Sequence, residues 1–324
     1  MIASTEHPIT VRRRSDFAGI GVSERRLRAL MKAESVHRVV AGCYVLASEW
    51  SRLNPMQRHL VKVLEVADRS RAPQVFMGAA AAAIWSIDRI AAWPDRVEVR
   101  IPRASGGRTS GAVRRRALGF EGVDVVEWRG HLVTTPAQTA MDVASDSSFR
   151  HGVIAVDQAL WARRQGGALT TASELWSVFG QQARRGVARA AEIIRFATPL
   201  ADSVRESEAR VLINLLGFPD PVLQKPFRLP GGEEVRADFY FEDFDHVGEF
   251  DGTGKYFDPD LLQGRTPEQA LLAEKDRADA LRRIVKRVSR WRTPAHRQPA
   301  DLYDILTADG LPSRRPRPRQ DMRW

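Results

Sequence analysis

Apolar residues recur at helical spacing in the stretch from Gly21 to Ala33, GVSERRLRALMKA, where Leu27, Leu30 and Met31 fall at i, i+3 and i+4 and predict one buried stripe. Ser23 is placed to cap the start of this helix. Arg25, Arg26, Arg28 and Lys32 fall off the stripe and are expected to face outward. From His37 to Leu46, HRVVAGCYVL, the pattern changes to two β-rich runs on either side of Ala41-Gly42, which predicts a tight hairpin. Further on, Met77 to Trp85 reads as an alanine-rich buried helix, and Val97, Val99 and Ile101 alternate with Arg100 and Pro102 as a strand does. Ala104 to Arg116 is rich in Gly, Ser and Arg and predicts an exposed basic loop. Thr134-Thr135-Pro136 opens a helix holding Ala140, Met141, Val143 and Ala144. Asp142 within it and Asp157 in the next helix are isolated carboxylates, expected in surface or capping roles. Ala168 to Phe196 is helical and basic, and leads through Thr198-Pro199 to a boundary.

Beyond that boundary the pattern runs helix, strand, turn, strand, helix, strand. The helix spans Val204 to Leu216 and holds Glu206, Glu208 and Arg210. Pro219 and Pro221 break the chain before a strand at Val235 to Phe241, an acidic turn at Glu242 to Asp245, and a strand from Val247 to Asp251 that ends in Gly252. A helix from Pro267 to about Arg283 and a strand from Ile284 to Trp291 follow. The expected organisation is mixed α/β: a basic helix-and-hairpin unit over 1–70, an α/β middle region over 71–197, a third domain over 198–312, and a Pro- and Arg-rich unstructured tail over 313–324.

Charge narrows the partners. The 324 residues include 50 Lys and Arg against 40 Asp and Glu, a net charge of +10. Such a surface attracts nucleic acid, acidic proteins and anionic membranes, and the preference for Arg suits paired contacts to phosphate oxygens. The single cysteine, Cys43, excludes a disulfide framework and a cysteine zinc site, as expected of a soluble, cytoplasmic chain. The longest apolar run, Met77 to Trp85, is far too short to span a bilayer. An Arg-studded helix followed by a hairpin has the order of a winged helix-turn-helix, with Arg25, Arg26, Arg28 and Lys32 as DNA-binding candidates. A solvated basic helix packed on a hairpin for stability is the alternative. Arg12, Arg13 and Arg14 fit either a phosphate strand or a disordered tail.

The third domain holds the candidate chemistry. Glu249 and Asp251 are two residues apart on one strand and share a face; an aligned hairpin brings Asp238 beside them. Three converging carboxylates repel unless a divalent cation neutralises them, and hard oxygen ligands select magnesium or manganese. Turn-flanking charges on an edge hairpin are the alternative. The order Glu206, then Asp238 in ADFYF, then Glu249-Phe250-Asp251-Gly252 resembles the PD-(D/E)XK nuclease superfamily, closest to the branch related to very-short-patch-repair endonucleases. The match takes in Lys255-Tyr256 and Glu274 to Arg277 and covers about residues 203–295. The resemblance implies a restriction-endonuclease-like α/β/α domain hydrolysing phosphodiesters with Mg2+ or Mn2+. Asp238, Glu249 and Asp251 would hold the metal, Glu206 would act from the helix, and Arg277 would touch phosphate or pair with Glu274 or Asp279. Asp251 stands where the commoner pattern has a water-positioning lysine; Lys255 is the natural substitute, and without it the domain binds DNA uncut. The Arg-rich helix, RVVAGCYVL, GAAAAAIW and LVTTPAQTAMDVA resemble actinobacterial proteins with an antitoxin-like winged helix of the abortive-infection (AbiEi) type. That resemblance implies a DNA-binding, autoregulating, non-catalytic repressor and a possible cognate toxin partner.

Overall fold

The computed structural model describes residues 6–181, 187–229, 232–251, 266, 269 and 280–324. The chain is mixed α/β and divides into two compact units, Met1–Pro199 and Leu200–Trp324.

In the first unit, strand β1 (Arg12–Arg13) leads into helix α1 (Arg14–Gly19), helix α2 (Glu24–Lys32) and the hairpin β2 (Val36–Val40) and β3 (Cys43–Leu46). The expected helix and hairpin are both present. Ser23 caps α2 by accepting the Arg26 N–H, Leu27 is buried, and Leu30 and Met31 pack against the Phe17, Val36 and Tyr44 cluster. Arg12 and Arg13 are not a disordered tail: they add β1 to the hairpin as a third antiparallel strand, order β1-β3-β2. Arg13 bonds the buried Glu65, and Arg14 bonds the exposed Glu24 at 2.7 Å.

After the short helix α3 (Ala47–Arg52), helix α4 (Pro55–Arg69) starts at an Asn54 capping box with Pro55 in its first turn. It packs against β2 and against the alanine-rich helix α5 (Gly78–Ile84), every residue of which is buried. A six-stranded sheet of order β6-β7-β5-β4-β9-β8 backs them. Its strands are β4 (Val75–Phe76), β5 (Val97–Ile101), β6 (Thr109–Ser110), β7 (Val113–Ala117), β8 (Val125–Trp128) and β9 (His131–Thr134). The supposed basic loop therefore ends as strand β7, parallel to β5, because Glu98 on β5 takes Arg114 and Arg116 at 3.5 and 3.1 Å. Helices α6 (Pro136–Asp146), α7 (Phe149–Leu160), α8 (Ala172–Gly180) and α9 (Val187–Phe196) follow, and Asp142 on α6 and Asp157 on α7 are not at the surface. Asp142 is 2% exposed and accepts from Gln138 at 2.9 Å; Asp157 is fully buried and accepts the Thr198 N–H at 2.7 Å.

The second unit is built on a four-stranded sheet, β10 (Val222–Arg228), β11 (Glu234–Phe241), β12 (His246–Asp251) and β13 (Arg287–Arg292), in that order. Strand β10 goes beyond the sequence expectation. The last pair, β12 and β13, is parallel and the others are antiparallel. Helix α10 (Val204–Leu215) and the helices Thr293–Arg297 and Pro299–Ala308 contribute to a core with Phe239, Phe241, Phe250 and Trp291. The expected helix over 267–283 lies almost wholly outside the described residues.

The tail is ordered, against expectation. Helix α10 ends with unsatisfied carbonyls, and the tail supplies their donors. Arg315 Nη1, Ser313 Oγ and the Arg314 N–H reach Leu215, Leu216 and Gly217 carbonyls at 2.9, 2.7 and 2.9 Å. Arg317 forks onto Asp304 at 2.6 and 2.7 Å, and the Trp324 indole donates to the His296 carbonyl at 2.6 Å while packing on the core. Among the described residues, no helix is long and apolar enough to cross a membrane.

Candidate functional site

The candidate site is assembled from one helix and the neighbouring strands of the second unit. Ser203 caps α10 by accepting the Glu206 N–H at 3.2 Å. The Glu206 carboxylate folds back, accepting from Ser203 Oγ and the Asp202 N–H at 3.0 Å each. This is a capping geometry, yet it leaves the carboxyl group 8% exposed and turned toward the sheet. Burial first, and then the negative charge of Asp238, push Glu206 up to about 7.

Gln224 bridges the two acids. Its Nε2 donates to Glu206 Oε2 at 2.8 Å and to Asp238 Oδ1 at 3.4 Å. The register of β10 against β11 brackets it, with Leu223 opposite Phe239 and Lys225 opposite Ala237. Gln224 itself has φ of 54°, a left-handed conformation costly for a residue with a side chain. The strain is spent on aiming a buried amide between two carboxylates.

Asp238 also controls where the sheet opens. The β11–β12 ladder pairs Phe241 with His246, Tyr240 with Val247 and Phe239 with Gly248, and stops there. One step on, the Phe250 N–H donates to Asp238 Oδ2 at 2.9 Å. A side-chain carboxylate has replaced the backbone acceptor, so β12 leaves β11 at Glu249. Phe250, on the opposite face of the strand, stacks 4.7 Å from His296. Gly248 is required by Trp291: an added Cβ would lie 2.9 Å from the indole ring.

Glu249 and Asp251 share a face of β12, as their spacing predicts, and the parallel register places Arg290 and Arg292 beside them. Arg290 Nη2 donates to Asp251 at 2.7 Å, and its Nε lies 4.0 Å from Glu249 Oε2. Glu249 is 4% exposed. The expected three-carboxylate cage of Asp238, Glu249 and Asp251 is not closed. Among the described residues the group of three ligand atoms within 4.8 Å of one another is instead His7, Glu65 and Asp68, in the first unit. Asp251 is drawn to the Arg290 guanidinium, and Asp238 Oδ2 accepts a backbone N–H. Glu206 and Glu249 are buried and Asp238 is half-buried on adjoining elements, and their carboxylate oxygens are hard donors of the kind that suits magnesium or manganese.

A buried relay fixes α10 to the sheet. The Trp291 indole N–H donates to His296 Nε2 at 2.9 Å, so His296 is protonated on Nδ1, which donates to Glu208 at 2.9 Å. Burial would raise the Glu208 carboxyl, but the bonds from His296 and Arg205 hold it below the ordinary range.

Lys255, Arg277, Glu274 and Asp279 lie outside the described residues. On α2 in the first unit, Arg25, Arg26, Arg28 and Lys32 are all exposed, with Arg28 held 3.5 Å from Glu24. Sequence reasoning missed Gln224 and Arg290. The period-2 alternation of RVSRWR was a usable signal for Arg290, since it sets Arg290 and Arg292 on the face opposite Trp291. Nothing local marked Gln224.

No family model matches the chain. Two uncharacterised proteins from two strains of Mycobacterium tuberculosis are each 34% identical to it over 139 residues, 42% of this chain and 49% of theirs. The chain thus spans about half the length of the curated relatives it matches.

Proposed function

We propose that this chain binds DNA through its N-terminal helix-and-hairpin unit and hydrolyses phosphodiester bonds in a magnesium-dependent site of the second unit. The observation that carries the reading is the burial of Glu206 and Glu249 beside the half-buried Asp238 at the point where β12 parts from β11, with a strained Gln224 amide between Glu206 and Asp238. Buried like charges are costly unless neutralised, and the elevated Glu206 carboxyl registers that cost. Magnesium or manganese bound there would supply an activated water and neutralise the phosphodiester charge. Asp238 and Glu249 would hold the ion. Glu206 would act from α10, either on the ion or through a water. Asp251 would swing between Arg290 and the ion, and Lys255 would orient the attacking water. Arg290, next to Glu249 and Asp251, offers positive charge to a phosphate at the same place. The order helix, helix, hairpin with Arg25, Arg26, Arg28 and Lys32 exposed supports a DNA-binding role for the first unit.

A second reading is favoured by one observation, the commitment of Asp251 to Arg290 rather than to a shared ligand cage. Under it the second unit is a non-catalytic platform, and the chain is an antitoxin-like repressor with a toxin partner. Incubation of the purified chain with plasmid and oligonucleotides in magnesium, manganese or chelator separates the two. Metal-dependent nicking that is lost in Asp238→Asn and Glu249→Gln supports the nuclease; binding without cleavage under every condition rejects it. Duplex binding should fall steeply with salt through counterion release. Unchanged affinity in a folded Arg25→Ala, Arg26→Ala, Arg28→Ala triple variant would remove the winged-helix assignment.

A further inference from the structure

In the first unit, and with no residue of the proposed nuclease site, His7 meets two carboxylates of α4. Glu65 and Asp68 are three residues apart, so they lie on one face of the helix. His7 Nε2 lies 3.1 Å from Asp68 Oδ2 and 3.7 Å from Glu65 Oε1, and the three ligand atoms all lie within 4.8 Å of one another.

Three features separate this cluster from an ordinary surface ion pair. The Glu65 side chain is fully buried, and its Oε1, the atom facing His7, has no hydrogen-bond partner. A buried carboxylate oxygen left in that state bears an uncompensated desolvation penalty. Second, the other oxygen of each acid is held by an arginine: Arg13 bonds Glu65 Oε2 and Arg129 bonds Asp68 Oδ1. The guanidiniums therefore orient both carboxylates from behind, leaving Oε1 and Oδ2 directed at the imidazole. Outer-sphere partners do this at metal centres. Third, the spacing fits. Ligand atoms about 2.0–2.1 Å from a tetrahedral zinc ion stand roughly 3.3–3.4 Å apart, and 3.1 and 3.7 Å bracket that separation.

We propose that His7, Glu65 and Asp68 form a binding site for a zinc-class divalent transition metal, with the fourth position open to water. One imidazole and two carboxylates suit zinc better than magnesium, which prefers all-oxygen sets and keeps much of its hydration. Such an ion ties the segment before β1 to α4. It would act as a structural staple on the three-stranded sheet, linking occupancy to the stability of the helix-and-hairpin unit.

The site is independent of the candidate nuclease site, and the test keeps them apart. The full chain is stripped with chelator and titrated with Zn2+ against a chromophoric competitor in excess Mg2+, and its melting temperature is followed with and without Zn2+. The comparison is of the parent, His7→Gln, and Asp238→Asn. His7 is partly exposed, so its replacement leaves the fold intact. The expected result is one bound zinc and a raised melting temperature in the parent and in Asp238→Asn. In His7→Gln affinity should fall at least about tenfold and the melting shift should vanish. A tetrahedral visible spectrum with Co2+, absent in His7→Gln, is expected alongside. Zinc binding of equal strength in His7→Gln, or none in the parent, would overturn the proposal.

Discussion

His59 makes the first unit sensitive to acid. It lies on α4, 2% exposed, with its ring 5.3 Å from that of Trp93. Burial, and then the nearby charge of Lys62, lower its imidazole from the ordinary value of about 6.5 to about 4, although the Pro94 carbonyl pulls the other way. The folded chain thus holds His59 neutral while an unfolded chain protonates it below about pH 6.5. A depressed histidine gives the unfolded state more protons over the window from 6.5 to 4, so stability is lost as pH falls through that window. The slope is about 1.36 kcal/mol per pH unit, giving a loss of about 2 kcal/mol at pH 5 and about 3.4 kcal/mol below pH 4. In a unit of this size that corresponds to roughly 4–8 °C at pH 5. His59→Phe keeps a ring against Trp93 and removes the titrating group. Hydrogen exchange of the α4 amides, measured between pH 7 and 4.5 in both proteins, reports this unit alone. The variant should match or exceed the parent at pH 7 and gain on it by about 2 kcal/mol at pH 5. A parent–variant difference that is the same at pH 7 and pH 5 would refute the reasoning.

Three further outcomes are expected. Glu208→Ala leaves the buried His296 N–H without its acceptor and should cost about 1–3 kcal/mol in urea unfolding of the second unit, with Glu208→Gln milder. Gly248→Ala drives a methyl against the buried Trp291 ring and should destabilise by about 1–3 kcal/mol; a neutral result would mean the indole is free to shift. If the nuclease reading holds, Lys255→Ala should leave metal binding largely intact and slow cleavage about a hundredfold, roughly 2.7 kcal/mol; equal rates would make Lys255 a bystander.

The sequence alone determined what depends on near neighbours. The α2 stripe, its Ser23 cap, the Ala41-Gly42 hairpin, the buried alanine helix and the shared face of Glu249 and Asp251 follow from 3.6- and 2-residue periods and from local hydrogen bonding. Tertiary structure decided whatever required a partner distant in the chain. Arg12 and Arg13 became a strand because β3 offered an edge and Glu65 a countercharge. The basic segment after Ala104 ended as β7 because Glu98 neutralised it. The Pro- and Arg-rich tail was ordered by the open carbonyls ending α10. Asp251 turned to Arg290, 39 residues away, while Gln224 took up a left-handed backbone between Glu206 and Asp238. Charge composition announces that such groups need neutralising, but the choice among many possible partners belongs to packing, which brings together residues that no local pattern connects.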